Sequence, residues 1–252
     1  MTLNTLTDLE AHRIELQAVL DASKSKAERN QMGQYATPTG LATQILEHTK
    51  QLFKANTSIR FLDPALGTGA FYSALLRAFD KDRIEFARGY EIDELYGDEA
   101  KHLWGDHPLE IIIDDFTIAS PPQDEANRYN LIICNPPYVR HHHLKTEDKK
   151  RLQSLVAQSR HTRLSGLSGL YVYFLCLAHN WLQKGGLAAW LIPSEFMDVN
   201  YGKGIRDYLS SQVTLLEIHR FSPEDMQFDD ALVSSAVIWF RNEKPVPNHR
   251  VV

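Results

Sequence analysis

The sequence predicts an α/β protein: a twisted, mostly parallel sheet with helices on both faces and an antiparallel pairing at one edge. Three observations carry that expectation. Short apolar runs alternate with longer segments of helical character. A pair of glycines, Gly67 and Gly69, follows the first run closely, and polar residues (Asp63, Glu91, Asp115, Asn135) stand at or just past the ends of successive runs. The last observation bears on function, because open α/β sheets gather their ligand chemistry at the carboxyl ends of the strands. With 252 residues, 43 % hydrophobic and 23 % charged, the chain is long enough for one large domain of ordinary globular composition.

Residues 1–30 read as an N-terminal helical segment, in which Leu3, Leu6, Leu9, Ile14, Leu16, Val19 and Leu20 form a rough stripe for packing or for a partner. The main domain is expected over 31–244. Gln31 to Pro38 leads into a helix carrying Leu41, Ile45 and Leu46, with Thr37 as a cap and Pro38 as an early proline. Strands are expected at 59–63, 84–91, 109–114 and 130–134, and helices at 69–79 and 93–103. Residues 139–168 form a polar, basic insertion too long for a simple connection, and so a candidate for function or disorder. The apolar stretch 170–183 reads as a helix that stops at Lys184-Gly185-Gly186. A buried strand at 187–193, a helix at 201–210, and strands at 213–221 and 233–240 complete a seven-stranded set. The last two strands are the candidates for antiparallel pairing. Pro245 to Arg250 looks like a linker, so 245–252 is expected to lead toward a further domain.

A net charge of −5 excludes a surface built uniformly for nucleic acid. The basic residues are concentrated, however: Arg140, Lys145, Lys149, Lys150, Arg151, Arg160 and Arg163 face only Glu147 and Asp148 between residues 139 and 163. A polyanion can be held there locally, although a solvated helix and loop would have the same composition. Cys134 and Cys176 make neither a disulfide framework nor a zinc set and suit a reducing compartment. No apolar stretch approaches a membrane span, and Met1 to Thr5 lacks a signal-peptide layout, so a cytoplasmic protein with no membrane partner is expected.

Phe61 to Phe71 reads as a strand, a glycine turn and a helix start, the layout of a nucleotide-cofactor turn. A dinucleotide fingerprint would place a third glycine where Tyr72 stands. A carboxylate at Asp63 would repel a pyrophosphate but suits an ammonium. Glu91, 22 residues after Gly69, is placed for two ribose hydroxyls, and Asp115 with Phe116 for an adenine amino group and ring. Ammonium, ribose and adenine partners on successive strand ends describe S-adenosylmethionine better than a nicotinamide dinucleotide.

Asn135-Pro136-Pro137-Tyr138 follows the apolar run 131–134. Two prolines fix two φ angles and remove two donors, leaving a stiff platform of acceptors beside an aromatic ring. An exocyclic amino group fits it, with its N–H bonds received by the Asn135 side-chain oxygen and the Pro136 carbonyl while Tyr138 stacks. A strand ending in a Pro-Pro turn is the plain alternative.

With these residues in hand, the chain resembles the gamma class of N6-adenine DNA methyltransferases of restriction-modification systems, over roughly residues 31–241. Tyr35-Ala36-Thr37-Pro38 matches the element that opens that class, and Asn135 to Tyr138 matches its catalytic motif. The resemblance implies a Rossmann-like, class I S-adenosylmethionine-dependent fold with a seven-stranded sheet. It implies that Tyr35, Thr37 and nearby backbone hold the methionine carboxylate, that Asp63, Ala65, Gly67 and Gly69 hold the methionine part, and that Phe71 packs beside it. Glu91 and Ile92 then take the ribose, and Asp115 and Phe116 the adenine, next to Asn135. Asn135, Pro136, Pro137 and Tyr138 are the implied catalytic set. Tyr138, Arg140 and Phe228 would contact double-stranded DNA, Phe228 packing on a flipped adenine. No metal is implied. The class also carries a target-recognition domain or subunit, to which nothing here corresponds.

Three other readings compete. The same tetrapeptide serves methyltransferases acting on RNA adenine, cytosine N4 or protein glutamine, against which Tyr35 to Pro38 and the basic segment favour DNA. A catalytically silent cofactor-binding module is a second. A fused nuclease is a third, through Glu147-Asp148-Lys149, which has no partnering Pro-Asp. His141-His142-His143 reads as a surface or phosphate-facing run, since consecutive residues cannot converge on one ion.

Overall fold

The computed structural model describes residues 5–54, 56–160, 162–221, 234–247 and 249–252. Seven strands, β1 (Ile59–Asp63), β2 (Ile84–Glu91), β3 (Leu109–Ile113), β4 (Tyr129–Cys134), β5 (Leu182–Pro193), β6 (Thr214–Arg220) and β7 (Ser235–Arg241), form one sheet in the order β3-β2-β1-β4-β5-β7-β6. The first five pair in parallel, and β7 runs antiparallel to both β5 and β6. The predicted antiparallel pairing is therefore present, with β7 set between β5 and the outermost strand β6. Val252 exchanges backbone hydrogen bonds with Leu216 and Ile218 along the free side of β6.

Strand order reverses where β1 meets β4, and the crevice at such a switch point is the usual ligand site of an open α/β sheet. Asp63 ends β1 and Asn135 follows β4, so both residues flank it. β4 is buried along its whole length, which explains its unbroken apolar run. Successive residues feed opposite faces. Phe61 and Ile133 join the core cluster of one face, whereas Leu62 and Ile132 join that of the other.

The helices are α1 (Leu6–Ala22), α2 (Lys26–Met32), α3 (Thr39–Gln51), α4 (Ala70–Ala78), α5 (Glu94–Trp104), α6 (Thr146–Arg160), α7 (Leu170–Ala178) and α8 (Lys203–Ser211). Two of the sequence expectations need correction, the 170–183 helix with its glycine stop and the N-terminal stripe. The 170–183 helix ends at Ala178, a short 3₁₀ turn follows, and β5 begins at Leu182, which already pairs with Tyr129. Gly185, at φ 76°, kinks β5 where its register with β4 shifts, and does not stop a helix. The 139–168 insertion contains α6. The N-terminal stripe also splits: α1 packs on α4 and α5 through a face holding Leu9, Arg13 and Leu20. Ile14 and Val19 remain 47 % and 67 % exposed, while Glu10 and Arg13 are only 5 % and 3 % exposed. No helix among the described residues is long and apolar enough to cross a membrane.

Candidate active site

A cavity of about 350 Å³ opens at the carboxyl ends of β1, β2, β3 and β4. Its lining unites most of the residues expected from the sequence: Tyr35, Thr37, Asp63, Ala65, Gly67, Phe71, Glu91, Ile92, Asp115, Phe116, Asn135 and Pro137.

Asp63 is buried at the end of β1. One carboxylate oxygen accepts the Ala65 N–H at 3.1 Å, and Oδ2 has no hydrogen-bond partner among the described residues. Burial pushes its carboxyl up to about 8, and the nearby Glu91 adds to the rise. Glu91 closes β2 and accepts the Gly67 N–H at 2.8 Å and the Asp93 N–H at 2.9 Å; burial raises its pKa as well. The glycine turn is thus held by Glu91, the acid that the sequence predicts at the ribose. Gly67 and Gly69 both have positive φ, 57° and 88°. At Gly69 a Cβ would lie 2.6 Å from Trp104 Nε1, which donates to the Thr68 carbonyl and closes the turn from behind.

Asp115 caps the short 3₁₀ turn 116–118, accepting the Thr117 N–H and hydroxyl at 2.8 and 2.9 Å. Phe116 is buried against Tyr90, Phe174 and Trp181. Arg151, from α6, donates to the Thr117 carbonyl and hydroxyl at 3.2 and 3.0 Å and lies 3.6 Å from Asp115.

The tetrapeptide is fixed from two sides. The Asn135 amide nitrogen donates to the Tyr35 carbonyl at 3.0 Å and the Thr37 hydroxyl at 3.1 Å, leaving Oδ1 buried without a donor among the described residues. Tyr35 to Pro38 therefore orients Asn135. The Tyr138 N–H donates to Gly33 at 3.1 Å and the Leu170 N–H to Val139 at 2.9 Å. Gly33 caps α2 at φ 65°, where a Cβ would lie 2.4 Å from the Tyr138 nitrogen. Pro136 and Tyr138 are buried behind the cavity lining. The Tyr138 hydroxyl donates to the Leu191 carbonyl at 3.2 Å, and its ring lies 5.5 Å from that of Tyr35. Arg140, Lys145, Lys150 and Arg163 are exposed. Phe228 lies outside the described residues.

Gln17, Asp21, Asp114, Tyr96 and Arg151 also line the cavity. They were not legible in the sequence, because they come from helix faces and a strand end that no motif marks. Gly33 had a signal, as a glycine just before Tyr35 to Pro38.

Two buried oxygens without donors among the described residues, an acid-held glycine turn and the Phe116 ring beside Asp115 fit a nucleoside carrying an ammonium group. With the strand order, they define a class I methyltransferase domain whose cofactor is S-adenosylmethionine. The chain belongs to the Eco57I restriction-modification methylase family, whose profile matches residues 39–228. It is similar to Type II methyltransferase M.AccI of Acinetobacter calcoaceticus, 31 % identical over 226 residues that cover 88 % of this chain and 39 % of that protein. It thus spans well under half of that relative's length. Among solved structures, a Listeria monocytogenes protein assigned to the class I S-adenosylmethionine-dependent methyltransferases matches with TM-score 0.79 and 13 % identity over 100 % of this chain and 74 % of that one. DrdV in complex with DNA matches with TM-score 0.70 and 18 % identity over 92 % and 29 %.

Proposed function

We propose that this domain methylates the N6 amino group of adenine in duplex DNA, on a nucleotide extruded from the helix. The observation that carries the reading is the buried Oδ1 of Asn135, a residue of the cavity lining, which has no donor among the described residues while the amide nitrogen is fixed by the two bonds it donates. It is an acceptor in need of an N–H donor, and a buried acceptor left unpaired is costly. The basic segment that starts at Arg140, the restriction-modification family and the DNA-bound neighbour support DNA as the polymer.

Asp63 and the 65–69 turn would hold the methionine part of the cofactor, Glu91 the ribose, and Asp115 with Phe116 the adenine. When bound, S-adenosylmethionine supplies a methyl group on a positively charged sulfur. Extruding the target costs about a few kcal/mol. Stacking on Phe228, and on Tyr138 once its ring turns out from behind the cavity lining, would return roughly 1–3 kcal/mol for each ring. Asn135 Oδ1 and the Pro136 carbonyl receive the two N–H bonds of the amine. That draws the nitrogen toward tetrahedral geometry, localises its lone pair and stabilises positive charge as it develops. Reading of the DNA sequence is assigned to a target-recognition domain or subunit, in keeping with the acidic net charge here.

The test is Asn135→Ala, assayed by transfer of labelled methyl groups to duplex DNA, RNA and protein acceptors. Wild type should label adenine N6 in duplex DNA. The variant should lose turnover by about a thousandfold or more while binding cofactor nearly as wild type. Normal labelling by the variant, or preferential labelling of RNA, protein or cytosine by wild type, would overturn the proposal.

A further inference from the structure

α1 buries an ion pair although apolar residues on the same helix stay in solvent. Glu10 and Arg13 are enclosed while Ile14 and Val19 are exposed. A buried pair brings little net stability over apolar packing, so this choice needs another explanation. The contacts supply it. Arg13 donates to Glu10 at 2.8 and 2.9 Å, to the Thr39 hydroxyl at 3.1 Å, and to the Thr68 hydroxyl at 3.1 Å. Thr68, inside the glycine turn, donates to Gln17 Oε1 at 2.7 Å; Gln17 donates to Asp21 Oδ1 at 2.9 Å; the Tyr96 hydroxyl donates to the same oxygen at 2.7 Å. A continuous chain thus runs from the glycine turn along α1 to α5. Gln17, Asp21, Thr68 and Tyr96 all line the cavity. Asp21 Oδ2 receives no hydrogen bond from the described residues. α1 also lies ahead of the part of the chain that the family profile covers.

We infer that α1 is a wall of the cofactor site, in which Gln17 and Asp21 contact S-adenosylmethionine and Arg13 is a positioning residue that fixes the glycine turn through Thr68. Asp21 offers its second oxygen to hydroxyl or ammonium donors. Glu10 neutralises Arg13; against the opposing effect of burial, its bonds to Arg13, Ser73 and Thr39 hold its carboxyl down at about 2.

The inference rests on the cofactor being S-adenosylmethionine, which the wild-type arm reports by itself. S-adenosylhomocysteine is titrated calorimetrically into the full chain and its variants, with the thermal midpoint of each measured without ligand. Wild type should bind, and absence of binding would overturn the cofactor assignment. Thr68→Val and Gln17→Ala should each weaken binding about tenfold, while Thr68→Ser, which keeps the hydroxyl, stays within about twofold. The double variant Glu10→Leu/Arg13→Met removes the pair and leaves only Arg77, 27 % exposed, without the carboxylate it faced. It should keep or raise the thermal midpoint yet bind about tenfold more weakly. Should that double variant not fold, Thr68→Val and Gln17→Ala decide the matter. Wild-type affinity in Thr68→Val and Gln17→Ala would overturn the inference.

Discussion

The helices α1 and α6 both close the cavity, and they are fastened in different ways. α1 is anchored by Arg13, whose side chain is 3 % exposed and satisfied by Glu10, Thr39 and Thr68. α6 is anchored by Arg151, whose side chain is 35 % exposed and reaches Thr117 and Asp115 from the surface. Breaking a buried pair strands a charge in a low dielectric, whereas solvent replaces most of what an exposed clasp loses. The polar clasp of one wall is therefore buried and costly to break, whereas that of the other is exposed and cheap to lose, α6 being held mainly by its buried Leu152 and Val156. The cheap one belongs to the segment that leads on from the catalytic tetrapeptide.

The strongest way to break that contrast is Arg13→Ala, which leaves Glu10 buried with only the more distant Arg77, 4.0 Å away, as a counter-charge. It should lower unfolding free energy by about 3–5 kcal/mol in urea denaturation. A loss as small as that of the α6 variant below would put both helices on one footing. Between the walls lies Asp63, protonated at neutral pH because its pKa is raised to about 8 by burial. Pairing with an ammonium requires the ionised form, so binding releases a proton and affinity should rise with pH up to about 8. The slope should approach tenfold per pH unit at most, and Asp63→Asn should flatten it. Calorimetry across pH checks this, and a falling or level wild-type profile would remove the ammonium role. The smallest effect is expected from Arg151→Ala, about 1 kcal/mol or less of stability, read by the same urea titration. A larger loss would make α6 a structural wall like α1.

The strand ends were the legible part. β1, β2 and β4 announce themselves as apolar runs, and Asp63, Glu91 and Asn135 sit where such runs stop, so position and chemistry are read together. The seven strands and the placing of the cofactor residues around one cavity follow from that. The orientation of α1 was not legible. Leu6, Leu9, Leu16 and Leu20 repeat at helical spacing with Arg13 in the gap, and the sequence alone does not tell that the gap faces inward toward Thr68. The sequence places Leu182 in the preceding helix, because Gly185 and Gly186 look like a helix stop, whereas its pairing with Tyr129 puts it in β5.

A carboxamide has a donating end and an accepting end, so a fixed Asn side chain is a vector. In Asn135 the tail of that vector is tied to Tyr35 and Thr37, 100 and 98 residues earlier. What it is tied to at Tyr35 is a backbone carbonyl, which every residue type has. The aim of the acceptor is thus set by the path of a distant loop more than by the letters of the tetrapeptide. Moving the four residues to another sheet would carry over the chemistry but lose the direction. An aspartate at 135, nearly identical in outline, would present an oxygen to the Tyr35 carbonyl and turn an attachment into a repulsion.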